Sequence, residues 1–332
     1  MPYDQDARAP MLSNGKSSVS RTALERRVMR LLCVPHAARS NRTRLPASDP
    51  RIRELGRLIE DDYAVLRSNY DKPKNPIVLA HGLFGFDQLH LAGPRLPGIQ
   101  YWRGIIEALG AKGIECFTAT VPPSGSIEAR AEKLRAYIQD KAAGRNVNII
   151  AGLDSRYMIS QLKPIDPKIV SLTTIASPHR GSAFADYLLK QIGPLNIPKV
   201  YKVLEFFGLE SGAFSQLTQK YMNEEFNPKT PNDPNVRYYS YGAAFDPGWL
   251  SMFRQSHAIV ERIEGLNDGL VSVKSSQWGE YKGTLNGVSH LDLINWTNRL
   301  RWFLFEMSGG HRNFNAVALY LDIADMLAKE GL

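Results

Sequence analysis

The stretch V-N-I-I-A-G-L-D-S-R-Y, residues 147–157, decides how this chain is read. Its first five residues form a short apolar run with β-branched members, which predicts a buried strand. Leu153–Leu162 reads as the helix that follows, and a single glycine, Gly152, separates the two. A strand passing through a tight turn into a helix is the repeating unit of a parallel sheet covered on both faces.

The same unit recurs on either side. Ile77–Ala80 is a short apolar run between turn residues and reads as a strand. Tyr101–Leu109 has helical spacing (Trp102, Ile105, Ile106, Leu109) and stops at Gly110. Glu115–Val121 reads as a strand closed by two prolines, and Ser126–Ala142 as an amphipathic helix with Ile127, Ala131, Leu134 and Ile138 on one stripe. Ile169–Ile175 is another strand, running into A-S-P-H-R-G-S at 176–182. Val236–Tyr241 and Ala258–Ile263 read as later strands, and a helix is expected from Ile52 through Tyr63 and Leu66. The fold class is therefore α/β, with a mostly parallel central sheet and helices on both faces. Reactive groups in such sheets gather at the carboxyl ends of strands. His81, Ala151, Ser177, Gly242 and Asp268 are all expected just past such ends. Residues 186–234 break the alternation with an apolar insert (Ile192, Leu195, Phe206 and Phe207 among others), which reads as a helical cap over an apolar pocket.

The 332 residues suffice for one large α/β domain over 51–332 after an N-terminal segment of 1–50. Of the net charge of +8, residues 1–57 carry +7, from twelve Arg and Lys against five Asp and Glu. The basic excess belongs to that segment, no basic face with aromatics accompanies it, and nucleic-acid binding is not expected. R-T-A-L-E-R-R-V-M-R-L-L at 21–32 puts Leu24, Val28, Leu31 and Leu32 on one side and arginines on the rest. An amphipathic, Arg-rich start is how a mitochondrial transit peptide looks; a basic tail or a surface helix is the other reading, with a cytoplasmic location. Cys33 and Cys116 lie far apart, so no disulfide framework is expected. No run of about 18 apolar residues suggests a membrane span.

Two later segments carry chemistry. N-D-G at 267–269 offers Asp268 in a glycine-flanked turn, and S-H-L-D at 289–292 offers His290 on a loop. A carboxylate that orients an imidazole, with backbone donors at an early strand end, is the arrangement acyl transfer uses. H-G-L-F-G at 81–85 supplies such an end, with the backbone N–H of Leu83 as the natural donor. Alone, Asp268 reads as a turn former. Taken with His290 and the early turn, it reads as the acid. His81 and His179 have no acid partner in sequence and read as scaffold.

Together these motifs resemble the bacterial true-lipase family and its fungal relatives, the mitochondrial-type triacylglycerol lipases. The resemblance runs from about Asn75 to Phe303 and rests on H-G-L-F-G-F-D at 81–87, Tyr101-Trp102, S-P-H-R-G-S at 177–182, A-F-S-Q-L-T at 213–218, N-D-G-L-V at 267–271 and H-L-D at 290–292. It implies an α/β-hydrolase fold, hydrolysis of acylglycerols or related carboxylic esters, Asp268 and His290 as triad members, and Leu83 in the oxyanion hole. It implies no obligatory cofactor. Bacterial members hold a structural calcium near the histidine, which points here to Asp292 and, as the nearest second candidate, Asp246. A lipid or ester substrate is expected, with contact to a lipid surface through the cap.

One element of the pattern is missing. The nucleophile elbow, G/A-H-S-x-G-G between strand and helix, would follow Ile150, yet Ala151-Gly152 runs directly into L-D-S-R-Y. About four residues are absent, the serine among them. An α-helix repeats every 3.6 residues, so drawing it back by four rotates its buried face by only roughly 40°. Three accounts follow: a hydrolase sequence that has lost a short stretch, a non-catalytic relative that binds lipid or a protein partner, or a hydrolase using Ser155. Ser155 has Tyr157 where an elbow needs a small residue, and Ser124, Ser126 and Ser177 read as turn residues.

Overall fold

The computed structural model describes residues 56–60, 62–63, 66–82, 88–89, 99–100, 102, 104–122, 125–190, 214–249, 251–295 and 314–332. The chain divides into units Met1–Thr43 and Arg44–Leu332, and every described residue belongs to the second. The N-terminal segment 1–50, Leu83 and the middle of the expected cap, 191–213, lie outside the described residues.

In chain order the elements are β1 (Leu58–Ile59), β2 (Ile77–Ala80), β3 (Gln88–Leu89), β4 (Ile99–Gln100), α1 (Ile105–Ala111), β5 (Cys116–Ala119), α2 (Ile127–Ala142), β6 (Val147–Ala151) and α3 (Leu153–Tyr157). A π-helical turn, Met158–Leu162, continues α3. Then follow β7 (Ile169–Ile175), a helix over 183–190, a second π turn (Tyr221–Phe226), β8 (Arg237–Ala244), α4 (Arg254–Glu264), α5 (Val273–Ser276), β9 (Glu280–Asn286) and α6 (Ala316–Lys329). Seven strands form one sheet in the order β1-β9-β8-β7-β6-β2-β5, and every pair is parallel. β3 and β4 form a separate antiparallel ribbon.

The core shows why these runs became strands. Ile77 and Leu79 enter the cluster on one face of the sheet, against α1 and α6, while Val78 and Ala80 enter the other, against α2. β6 divides likewise: Ile150 joins the first cluster, Val147 and Ile149 the second. Successive strand side chains point to opposite faces, so a doubly covered strand must be apolar at every position. Ser126 starts α2, its Oγ accepting from the N–H of Ala129 at 3.2 Å. The stripe Ile127, Ala131, Leu134 and Ile138 is buried as the spacing predicts, each of the larger members contributing about 1.5–3 kcal/mol of hydrophobic stabilisation.

Three expectations need correction. Ala258–Ile263 is not a strand but part of α4. Its β-branched residues favour a strand locally, but burial follows helical spacing: Ser256, His257 and Val260 face inward and Ile263 is exposed. No helix runs through Tyr63; the described part of that stretch gives β1, which pairs with β9, and a turn at 62–63. Gly242 lies inside β8 and not past its end. The shortened β6–helix junction holds as the helical phase predicts, with Leu153, Met158 and Ile159 all buried.

Candidate active site

The histidine and the acid arrive by different routes at the carboxyl end of the sheet. After β9 the chain turns at Gly287, the N–H of Val288 bonds the carbonyl of Ala244 at 3.2 Å, and His290 follows. Asp268 does not directly follow a strand. α4 carries the chain away from β8 and back, and the N–H of Phe245 donates to the carbonyl of Asn267 at 3.1 Å, pinning the N-D-G turn beside the end of β8.

Asp268 is fully buried. Its Oδ1 accepts from the N–H groups of Leu270 at 3.0 Å and Val271 at 2.8 Å, and its Oδ2 accepts from His290 Nδ1 at 2.7 Å. The His290 N–H also donates to the Asp268 carbonyl at 2.9 Å. Asp268 thus closes its own turn with one oxygen and holds the His290 ring with the other. Gly269 closes the turn at φ 102°, and a Cβ there would lie 2.6 Å from the Phe253 ring. Burial opposes the His290 imidazolium, but the Asp268 charge and hydrogen bond outweigh it, so the His290 pKa lies above its ordinary value. With Nδ1 committed to the acid, Nε2 is left to act as base. The ring is 34% exposed and lines a cavity of about 380 Å³.

Across that cavity a buried arginine ties three strand ends together. Arg130, on α2, bonds Asp154 Oδ2 through Nε at 2.9 Å and Nη2 at 2.7 Å. Its Nη2 also donates to the carbonyl of His81 at 2.8 Å, and its Nη1 to the carbonyl of Pro122. The carbonyl of His81 marks the start of the proposed oxyanion turn, whose Leu83 lies outside the described residues. Nothing in the sequence spacing of Arg130 and Asp154 signals this pairing.

At the end of β6, where an elbow side chain would project, stands Gly152, which caps α3 with φ −133° and ψ −139°. It lines the cavity that also holds His290. A Cβ at Gly152 would meet Ser177 Oγ at 3.2 Å. Ser155 points elsewhere: it is fully buried, does not line the cavity, and its hydroxyl has no hydrogen-bond partner among the described residues.

The two scaffold histidines behave as such. His81 Nδ1 lies 3.1 Å from the carbonyl of Gly82, a bond within its own loop. His179 is buried, stacks on Trp278 with ring centroids 5.3 Å apart, and bonds Thr174 Oγ1 at 2.9 Å. Burial and the nearby Arg156 hold its pKa well below the ordinary value. Arg156 lies over the Trp278 ring at 3.5 Å, a cation–π contact, and bonds Asn227 Oδ1 at 3.0 Å.

Asp292 Oδ2 accepts from the Ser289 N–H at 3.0 Å and hydroxyl at 2.6 Å, closing the turn that presents His290. Asp246 is exposed in the segment after β8. Calcium takes six to eight oxygen ligands, and among the described residues no three His, Cys, Asp or Glu side chains assemble. Two carboxylates do not by themselves fit the ion. From the expected cap, Phe214 and Leu217 line the cavity, joined by Phe184 just before it.

No family model matches the chain. Among known proteins it is similar to triacylglycerol lipase 2 of Saccharomyces cerevisiae, 39% identical over 320 residues that span 81% of this chain and 96% of the yeast protein. It is 27% identical to the triacylglycerol lipase of Vibrio cholerae, across 81% of this chain and 93% of that one. The crystal structure of Staphylococcus hyicus lipase superposes with a TM-score of 0.59 at 18% identity, covering 80% of this chain and 99% of that chain, a likeness of fold. With the parallel sheet, the buried acid–histidine pair and a relative matched along nearly its whole length, the chain belongs to the triacylglycerol lipase family of the α/β-hydrolase superfamily.

Proposed function

We propose that this chain takes triacylglycerol or a related carboxylic ester into the cavity beside His290, and that its turnover is impaired because glycine occupies the nucleophile's seat. The observation that carries this reading is the pairing of an intact Asp268–His290 dyad with Gly152 on the same cavity wall. The dyad supplies a base and its orienting acid. The cavity walls supply apolar surface for acyl chains, from Trp102, Ile127, Phe214 and Leu217 among others. In this reading Leu83 donates to the oxyanion, and the flanks of 191–213 belong to a cap that meets the lipid surface. The Arg-rich N-terminal segment supports a mitochondrial destination.

The same glycine favours a second reading, a non-catalytic relative that binds lipid or a protein partner through the cavity. Inserting H-S-M-G between Ala151 and Gly152 separates them. A hydrolase that has lost its elbow gains activity on short-chain p-nitrophenyl esters on the order of 10³-fold or more, since the dyad and binding site are already in place. A folded insertion variant that stays at the parent's level sinks the first reading.

A further inference from the structure

Gly152 leaves a gap, and one hydroxyl already borders it. We propose that Ser177 acts as a substitute nucleophile, its Oγ attacking the bound ester in place of the missing elbow serine. This rests on the ester-hydrolase reading above and names the residue that carries its residual turnover.

Position favours it first. Ser177 follows β7, which lies between β6 and β8 in the sheet. Neighbouring strands are about 4.8 Å apart, so Ser177 stands one strand nearer than Gly152 to the β8–β9 side, from which Asp268 and His290 come. Its Oγ lies 3.2 Å from the point a Cβ on Gly152 would occupy, on the rim of the vacated space. His290, Gly152 and Ser177 all line the one cavity.

Availability comes next. Among the described residues two serines line this cavity, Ser177 and Ser182. The Ser182 hydroxyl is committed, donating to the Leu270 carbonyl at 2.6 Å and accepting from the Phe184 N–H at 3.2 Å. Ser177 Oγ makes no hydrogen bond among the described residues and is not among their sealed, partnerless polar atoms.

The backbone holds it firmly. Ala176 sits at φ 47°, a conformation uncommon outside glycine, and its N–H is fixed to the Tyr241 carbonyl at 2.9 Å. Such strained residues gather at functional sites. Pro178 restricts Ser177 itself to extended conformations. The following residues are stitched to α5, the short helix after the acid's turn: the His179 N–H bonds the Ser275 carbonyl at 2.9 Å, and Ser275 Oγ donates to the Gly181 carbonyl at 2.6 Å.

In the proposed step Ser177 Oγ forms a bond to the ester carbonyl carbon as its proton passes to His290 Nε2. The tetrahedral adduct collapses, the C–O bond to the alcohol breaks, and the alcohol leaves with that proton. Water, deprotonated by His290, then attacks the acyl-Ser177 ester, releasing the carboxylic acid and restoring the serine.

The full chain is incubated with a fluorophosphonate probe and mapped by peptide mass, and esterase rates are measured for the parent, Ser177→Ala, Gly152→Ala, Ser155→Ala and His290→Ala. The expected result is labelling at Ser177 and a loss of about 100-fold or more in Ser177→Ala and in His290→Ala. Gly152→Ala crowds the hydroxyl and lowers labelling and rate together, while Ser155→Ala leaves both unchanged. Ser177→Cys guards against a folding artefact, since it should yield a thioester adduct of acyl mass. Labelling at another serine, or a Ser177→Ala rate equal to the parent's, overturns the proposal. So does a parent chain that neither labels nor hydrolyses, and an active H-S-M-G insertion variant would then leave the family reading standing.

Discussion

Removing Asp154 should unfold this protein more readily than removing both Asp154 and its partner. Arg130 is 1% exposed and Asp154 13%, so the guanidinium is the more deeply trapped charge. Among the described residues, Asp154→Ala leaves it the carbonyls of His81 and Pro122 as acceptors. Breaking a buried pair by deleting one partner costs about 3–5 kcal/mol, because the remaining charge is uncompensated. Loss of an acidic residue from the first turn of α3 adds about 0.3–1 kcal/mol. The double variant Arg130→Met/Asp154→Leu removes both charges and fills the space, leaving two carbonyls short of a donor at about 1–3 kcal/mol each. It should therefore be no worse than Asp154→Ala, and additive losses should not appear. Urea denaturation followed by tryptophan fluorescence measures each difference, with thermal midpoints as a check at about 2–4 °C per kcal/mol. The reasoning is refuted if Asp154→Ala costs under about 1 kcal/mol, the range of an exposed pair, or if the double variant loses the sum of the two singles.

Three further outcomes are expected. Ser155→Ala removes a fully buried hydroxyl that has no partner among the described residues and should raise stability by about 1–2 kcal/mol; a lower denaturation midpoint would show that the hydroxyl is bonded. Gly269→Ala places a Cβ 2.6 Å from the Phe253 ring at φ 102° and should cost at least about 2 kcal/mol, with the His290–Asp268 bond weakened; an unchanged midpoint and His290 ring spectrum would contradict it. Because Asp268 holds the His290 pKa above its ordinary value, this residue's contribution to stability is complete below the unfolded histidine pKa of about 6.5 and is lost as pH rises through the folded value. Asp268→Asn removes the charge but keeps the burial, so the contribution should instead be lost on acidification; His290 titration by NMR in both proteins checks the reversal.

What the sequence conveyed and what it withheld divide by how local the determining interaction is. β2, β6 and β7 are legible because both sheet faces are covered, so nearly every position is apolar. β9 is not, because Glu280, Tyr281 and Lys282 read as surface and only Gly283, Thr284 and Leu285 are buried. Missing β9 hid β1, a two-residue strand whose only partner it is. α4 was misread because Ile and Val favour a strand locally, while its burial obeys a helical period. At the site, Asp268 and His290 were legible from an acid-then-histidine order with turn residues around each. Arg130 and Ser177 were not, since their importance comes from a contact between α2 and two loops and from a gap opened by someone else's absence, that of the elbow.

That gap also shows what the surviving dyad does and does not prove. Asp268 Oδ1 organises its own turn through two backbone N–H groups, and the His290 N–H is tied to the Asp268 carbonyl. Asp292 closes the histidine turn through Ser289. None of these bonds involves a serine at the elbow, and none is lost with it. The acid–histidine pair is therefore held together by interactions that stabilise the fold in their own right, and it would persist in a chain that had stopped hydrolysing anything. Only groups with no structural task can report on turnover. Ser177 Oγ, which makes no hydrogen bond among the described residues and borders the cavity from a strained turn, is such a group, and its reactivity decides between a hydrolase and a binding protein more sharply than the intact dyad does.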